Sequence, residues 1–336
     1  MREALEPATL EEMSTAPVQP NVQTLLDQGD SYAAKDDVRA AASYYQAALK
    51  AAQQGGAIDP ALHSRLTAAA GYVRQTAEAY KESLRSVVAG RPNVPGRTDR
   101  LRHAVEILTG ERELFLQGPS VLYFPYLANR QFFERDEFDW VPALEAETPA
   151  IKAELEAIVA AGADFRPYVE DDPDRPRREF HGLHGDPSWT ALYLWRDGRP
   201  VEENARRCPR TMAALEQVPM TRIGAKTPSV LFSKLTPGAH IPPHRGMLNC
   251  RLIAHLPLIV PDGCWLRVGN ETRRWEEGKL LIFDDSFEHE ARNESGETRI
   301  VLLFDLWRPE LGDDEKAGIS AIFDTIDRFT GVPAEA

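Results

Sequence analysis

The chain has 336 residues, 43% hydrophobic and 27% charged, which excludes wholesale disorder and leaves room for about two domains of roughly 100–200 residues. Three cysteines, Cys208, Cys250 and Cys264, match no zinc knuckle or paired disulfide framework and point to a reducing compartment. With 39 basic against 52 acidic side chains the net charge is −13, which opposes nonspecific binding to nucleic acid or to an anionic membrane surface.

Residues 1–20 read as a disordered tail: Arg2 is the single basic residue among Glu3, Glu6, Glu11 and Glu12, so no signal peptide is legible. Nowhere does an apolar run reach the length of a membrane span. The chain is therefore expected to be cytoplasmic, with no nucleic-acid or membrane partner.

Residues 21–117 are expected to be all-helical. From Val22 to Ala89 the chain is rich in Ala, Leu, Gln and Lys, with apolar residues at three- and four-residue steps. Leu25, Gly29, Tyr32, Ala41, Tyr45 and Ala48 fall at the offsets of a tetratricopeptide repeat, and Pro60 to Val88 reads as a second, degenerate helix pair. So few repeats rarely stand alone, so the segment is expected to lean on a second protomer, as a homodimer, or on the rest of the chain. It reads either as a cap or as a peptide-binding groove. Gly90 to Thr98 is the expected linker, and Asp99 to Leu116 one more helix.

Residues 118–330 change texture, and 331–336 form a short tail. Helical patterning survives in Trp140 to Ala161 and Pro209 to Gln217. Strands are expected at Ser229 to Leu235, Arg251 to Val260, Cys264 to Val268, Lys279 to Phe283 and Arg299 to Trp307, separated by turn signals such as Pro237-Gly238 and Gly269-Asn270. Short, evenly spaced strands favour a jelly roll over a βαβ sheet, so the fold class is α+β: a jelly-roll, cupin-like domain preceded by an all-α domain.

Of eight histidines, His240, His244, His255 and His289 fall in the strand block. His244 precedes one strand and His289 follows the turn Asp284-Asp285-Ser286, an arrangement by which a jelly roll brings ligands from two strands to one metal. A nonheme iron site of this kind ordinarily adds a carboxylate two residues after the first histidine. Here that position is Gly246, so either the site is not metallic or it holds iron through two histidines. Arg299 opens a strongly apolar strand, and a buried guanidinium needs an anionic partner. A structural salt bridge and a bidentately gripped small dicarboxylate are the two readings.

These residues lie in longer motifs. The run Phe283 to Glu290, preceded by Asn270 to Thr272 and Trp275 to Lys279 and followed by Arg299 and Asp305 to Leu311, resembles the aspartyl/asparaginyl β-hydroxylases. So do Pro237 to Gly246, Asn249 to Leu252, His255 and Ile259 to Pro261. The resemblance covers roughly Phe124 to Leu311 and implies a double-stranded β-helix using Fe(2+), 2-oxoglutarate and O2. It implies that two histidines hold the iron with no protein carboxylate. By motif position His244 and His289 would be the ligands, with Arg299, Ser233, His255 and Trp189 around 2-oxoglutarate and Asp285 orienting metal-bound water. Arg251 is the candidate for recognising an acidic substrate side chain, with a strand-edge surface arginine as the alternative. Ile253 replaces a further arginine of the family.

The implied function is hydroxylation of the β-carbon of an aspartyl or asparaginyl residue, in a peptide, a protein or a free amino acid. The alternatives are a hydroxylase of another substrate, such as an acyl chain, and a non-catalytic metal-binding jelly roll whose helical repeats recruit partners.

Overall fold

The computed structural model describes residues 21–54, 59–94, 97–170, 182–224 and 226–330. The expectations for 1–20 and 331–336, and Pro95 of the expected linker, lie outside them. The chain divides into two compact units, Met1–Arg112 and Glu113–Ala336.

The first unit contains α1 (Val22–Ala33), α2 (Val38–Gln54), α3 (His63–Ala89) and α4 (Arg97–Leu108). Asn21 caps α1 by accepting from the Thr24 amide at 2.7 Å. Gly29 and Tyr45 set the approach of α1 to α2: a Cβ on Gly29 would lie 2.5 Å from the Tyr45 ring. Ala41 and Ala48 are wholly buried in the same seam, and the Tyr45 hydroxyl donates to Asp30 at 2.7 Å. The second helix pair expected from Pro60 to Val88 is instead one helix, α3, after a single 3-10 turn at Pro60–Leu62. The stretch has no proline after Pro60 until Pro92, and Gly71 sits mid-helix in open space, where it weakens the helix without breaking it. Nor does the following helix reach Leu116; α4 ends at Leu108, just before Gly110 at φ +74°.

The second unit has twelve strands among the described residues: β1 (Phe132–Phe133), β2 (Arg166–Pro167), β3 (Trp189–Arg196), β4 (Arg199–Pro200), β5 (Val230–Leu235), β6 (His240–His244), β7 (Arg251–Ile259), β8 (Cys264–Val268), β9 (Glu271–Arg274), β10 (Leu281–Phe283), β11 (His289–Asn293) and β12 (Arg299–Trp307). Its helices are α5 (Val141–Ala146), α6 (Thr148–Ala160), α7 (Glu202–Ala205), α8 (Pro209–Leu215) and α9 (Asp313–Thr330). The larger sheet runs β1-β10-β7-β12-β5-β3-β2 with β4 beside β3, and the smaller runs β6-β11-β8-β9. Every pairing between these strands is antiparallel. Two facing antiparallel sheets give the double-stranded β-helix of an α+β fold.

Alternation along β12 explains where the site sits. Ile300, Leu302, Phe304 and Leu306 face the core that the large sheet shares with α5, α6 and α8, through Val141, Leu144, Ile151, Leu155 and Leu215. Each such side chain contributes roughly 1.5–3 kcal/mol when fully buried. The opposite set, beginning with Arg299 and Val301, faces the small sheet. There Leu235, Ile253, Phe283 and Val301 meet Ile241, Leu266, Val268 and Ala291 in a second core. Polar residues at the odd positions of β12 are therefore driven between the sheets by the burial of their neighbours. A third core, Ile223, Leu248, Cys250, Trp307, Ile319 and Phe323, packs α9 against the end of β12. The three cysteines are buried free thiols, and no described helix is long and apolar enough to cross a membrane.

Candidate metal centre

His244 ends β6 and His289 begins β11, and the two are direct partners in the antiparallel register. Their ring centroids are 4.1 Å apart. Each Nδ1 lies against a backbone carbonyl two residues earlier, Pro242 O at 2.8 Å for His244 and Phe287 O at 3.0 Å for His289. A carbonyl oxygen only accepts, so both Nδ1 atoms carry a proton, which in the neutral ring leaves the lone pair on Nε2. Burial pushes the His289 pKa down to about 4, which keeps that imidazole neutral near pH 7. Among the described residues no group of three or more His, Cys, Asp or Glu is arranged to hold a metal, so a metal bound here would have this imidazole pair as its protein donors. Neutral imidazoles of fixed tautomer suit a borderline divalent cation such as Fe(2+).

Gly246 is where a third, carboxylate ligand would stand, and its place is taken. Its amide donates to the Asp285 carbonyl at 2.7 Å, and a Cβ on Gly246 would lie 2.1 Å from Asp285 Oδ2. The Asp285 carboxylate thus enters the side-chain space of position 246 from the neighbouring loop. It is 6% exposed, and burial raises its pKa against the pull of Arg251 and His244. Its Oδ1 has no hydrogen-bond partner among the described residues. The loop that carries it is anchored by the preceding residue. Asp284 accepts from the Ser286 amide, from Gln117 and from the fully buried Arg308, the last at 2.8 Å. Burial still pushes Asp284 up to about 6.

Next to the imidazole pair lies a cationic wall. Arg299 is 1% exposed on β12, and its guanidinium donates to Ser233 O at 3.3 Å and Ser233 Oγ at 3.5 Å. Among the described residues it has no carboxylate partner, and its Nε has no hydrogen-bond partner at all. Burial lowers its pKa to about 10, which leaves it charged near neutrality. The salt-bridge reading of Arg299 finds no partner here, so the observation that a bound anion would relieve is an orphaned buried cation. Ser233 lies opposite Val301 on β5 and also accepts from Trp189 Nε1 at 3.2 Å. His255 lies opposite Leu303 on β7; Trp275 Nε1 donates to its Nδ1 at 3.3 Å, so its Nε2 carries the proton and can donate. Trp275 also underlies Arg299, with the guanidinium 4.8 Å from the ring.

Aromatic rings join the two parts: Trp189 is 6.2 Å from the His244 ring, and Phe283 is 5.7 Å from His289 and 5.1 Å from His255. The fold thus brings together His244, His289, Asp285, Arg299, Ser233, His255 and Trp189.

Arg251 needs a correction. It opens β7 opposite Trp307 of β12 with its side chain only 13% exposed, so it is not a surface arginine, and its charge is already spoken for. Its NH2 donates to Asp285 Oδ2 and its NH1 to Asp305 Oδ2, each at 3.1 Å. Asp305 is fully buried and was not singled out from the sequence, although period-two counting from Arg299 puts it on the inner face of β12. Tyr168, stacked 4.0 Å from Trp189, was also missed, and nothing in its local sequence marks it.

Residues 145–309, a stretch that holds every one of these candidate residues, match the family model described as aspartyl/asparaginyl β-hydroxylase. The mouse aspartyl/asparaginyl β-hydroxylase is 43% identical over 135 residues, 40% of this chain and 18% of that protein. The ornithine lipid ester-linked acyl 2-hydroxylase of Rhizobium tropici is 36% identical over 191 residues, 56% of this chain and 64% of that protein. Human aspartate β-hydroxylase domain-containing protein 2 is 34% identical over 214 residues, 62% of this chain and 55% of that protein. The chain spans less than two thirds of the length of each of these relatives. Over residues 145–309, the chain is thus similar to the aspartyl/asparaginyl β-hydroxylase family.

Proposed function

We propose that the second unit is an iron(II)- and 2-oxoglutarate-dependent dioxygenase that hydroxylates the β-carbon of an aspartyl or asparaginyl residue. The balance is one C–H bond, O2 and 2-oxoglutarate converted to one C–OH, succinate and CO2. The observation that carries this reading is Arg299, a buried guanidinium with no carboxylate partner among the described residues, set beside two imidazoles of fixed tautomer.

When bound, iron and 2-oxoglutarate would supply the oxidising chemistry. The chain supplies ligation, orientation and exclusion of water. His244 Nε2 and His289 Nε2 would hold the metal. Arg299 would fork onto the distal carboxylate of 2-oxoglutarate, with Ser233 Oγ and His255 Nε2–H as additional donors and Trp189 as an apolar wall. Asp285 Oδ1 offers an acceptor beside the imidazole pair, in the space that Gly246 leaves open. Phe283, Phe287, Leu266 and Ile253 close the surroundings to water, which strengthens each of these polar contacts.

The test is aerobic incubation with iron(II) and ascorbate, following succinate with and without peptides from a lysate digest. Succinate formation together with peptides heavier by one oxygen atom is the expected result. Succinate with no hydroxylated peptide would redirect the search to acyl chains, the substrate class in the Rhizobium relative's name. No succinate under any condition would overturn the reading.

A further inference from the structure

We infer that this site selects a side-chain carboxamide over a carboxylate, an asparaginyl over an aspartyl residue; the inference rests on the reaction proposed above. Arg251, the cation beside the imidazole pair, sits between two buried carboxylates, Asp285 and Asp305, each 3.1 Å away. The side chains are 13%, 8% and 0% exposed. With both carboxylates ionised the trio carries one net negative charge; with one of them protonated it is neutral. Neither state leaves positive charge to balance an incoming carboxylate, and an unbalanced buried anion is costly.

The trio also has two unmet hydrogen-bonding needs of opposite kind. Arg251 Nε–H is a buried donor and Asp285 Oδ1 a buried acceptor, neither with a partner among the described residues. A carboxamide carries one acceptor oxygen and an NH2 donor, so it can answer both. A carboxylate only accepts. It would meet Arg251 Nε and leave Asp285 Oδ1 facing a second anion. The next inward position along β7 from Arg251 is Ile253, 7% exposed, an alkyl group where a further cation would restore a positive surplus. Other cations around the site are engaged elsewhere. Arg299 would be taken by 2-oxoglutarate in the reaction proposed above, Arg267 is bonded to Glu288 and Glu290, and the exposed Arg245 to the carbonyls of Leu116 and Ser286.

The experiment uses the full chain with iron(II), 2-oxoglutarate and air, and two degenerate peptide mixtures that differ only in a central Asn or Asp. Peptide hydroxylation is read by mass, and succinate is measured in parallel without peptide. The expected result is a kcat/KM for the Asn mixture at least about tenfold above that for the Asp mixture. Asp305→Asn, which frees positive charge on Arg251, should shift that ratio toward Asp by about tenfold. Ile253→Arg, which adds a cation on the same face, should do likewise and stands in if Asp305→Asn fails to fold. Equal or better use of the Asp mixture by the unaltered protein would overturn the inference. So would a ratio that neither variant moves, or succinate formation with neither mixture hydroxylated, which leaves the dioxygenase reading intact. Absence of succinate throughout would overturn both.

Discussion

Asp285 occupies the space that a side chain at Gly246 would need: a Cβ there would lie 2.1 Å from its Oδ2, while the Gly246 amide is bonded to its carbonyl. The glycine is therefore not a vacant ligand position into which a carboxylate can be added. Gly246→Asp would push the loop at Asp284 and Asp285 away from Arg251, with an overpacking cost of about 1–3 kcal/mol. The variant is expected to lower succinate formation and to couple less of it to product. Improved, product-coupled turnover in Gly246→Asp would show that the two carboxylates can coexist and would sink this account.

His244→Ala and His289→Ala each remove half of the protein donor set. Either should depress 2-oxoglutarate turnover more than about 100-fold and lower the iron bound after desalting. Iron content measured by elemental analysis, next to a melting curve, separates lost ligation from lost folding. A variant that keeps stoichiometric iron and full turnover would refute the assignment of that histidine.

How much of this was legible in the sequence depended on which face of a strand was buried. β7 and β12 are apolar on the helix-facing side throughout, so their runs stand out, and Cys264–Val268 and Arg299–Trp307 begin and end where the pattern predicts. The small sheet was hidden, and of its four strands the pattern revealed β8 alone. β6 contains Pro242 and Pro243, residues that normally argue against a strand, and it tolerates them because it is the edge of its sheet. β9 and β11 are short and polar, Glu271–Arg274 and His289–Asn293, because one of their faces meets solvent. The positions of the two histidines followed from motif resemblance. Their close approach follows from a pairing between β6 and β11 that no local signal specifies. Asp305 was recoverable by alternation from Arg299, whereas the double engagement of Arg251 requires the fold.

Arg308 and Asp284 form an ion pair in which both side chains are 0% exposed. Arg308 also pairs with the partly exposed Glu310 at 2.8 Å, so removing Asp284 takes the buried one of its two carboxylates, a loss of about 1–3 kcal/mol. Asp284→Ala is expected to lower the melting temperature by roughly 2–12 °C for a unit of this size. The folded fraction should also turn over more slowly, since Asp284 ties down the loop that bears Asp285. A melting curve indistinguishable from that of the unaltered protein would mean that the pair contributes no net stability.

Arg299 separates binding from stability most cleanly. Its guanidinium is buried against Ser233 and Trp275 with an unbonded Nε and no carboxylate partner among the described residues, so in the ligand-free protein it is a source of strain, not of stability. Arg299→Gln should leave the melting temperature of the ligand-free protein unchanged or higher, because it removes a desolvated charge. The same substitution should raise the KM for 2-oxoglutarate by roughly two to four decades, the equivalent of about 3–5 kcal/mol for one side of a buried ion pair, while iron binding through His244 and His289 stays intact. A structural role predicts the reverse: a lower melting temperature, with a normal KM in whatever remains folded. Melting without 2-oxoglutarate and then at saturating 2-oxoglutarate completes the test, since ligand should stabilise the unaltered protein and leave Arg299→Gln nearly where it was.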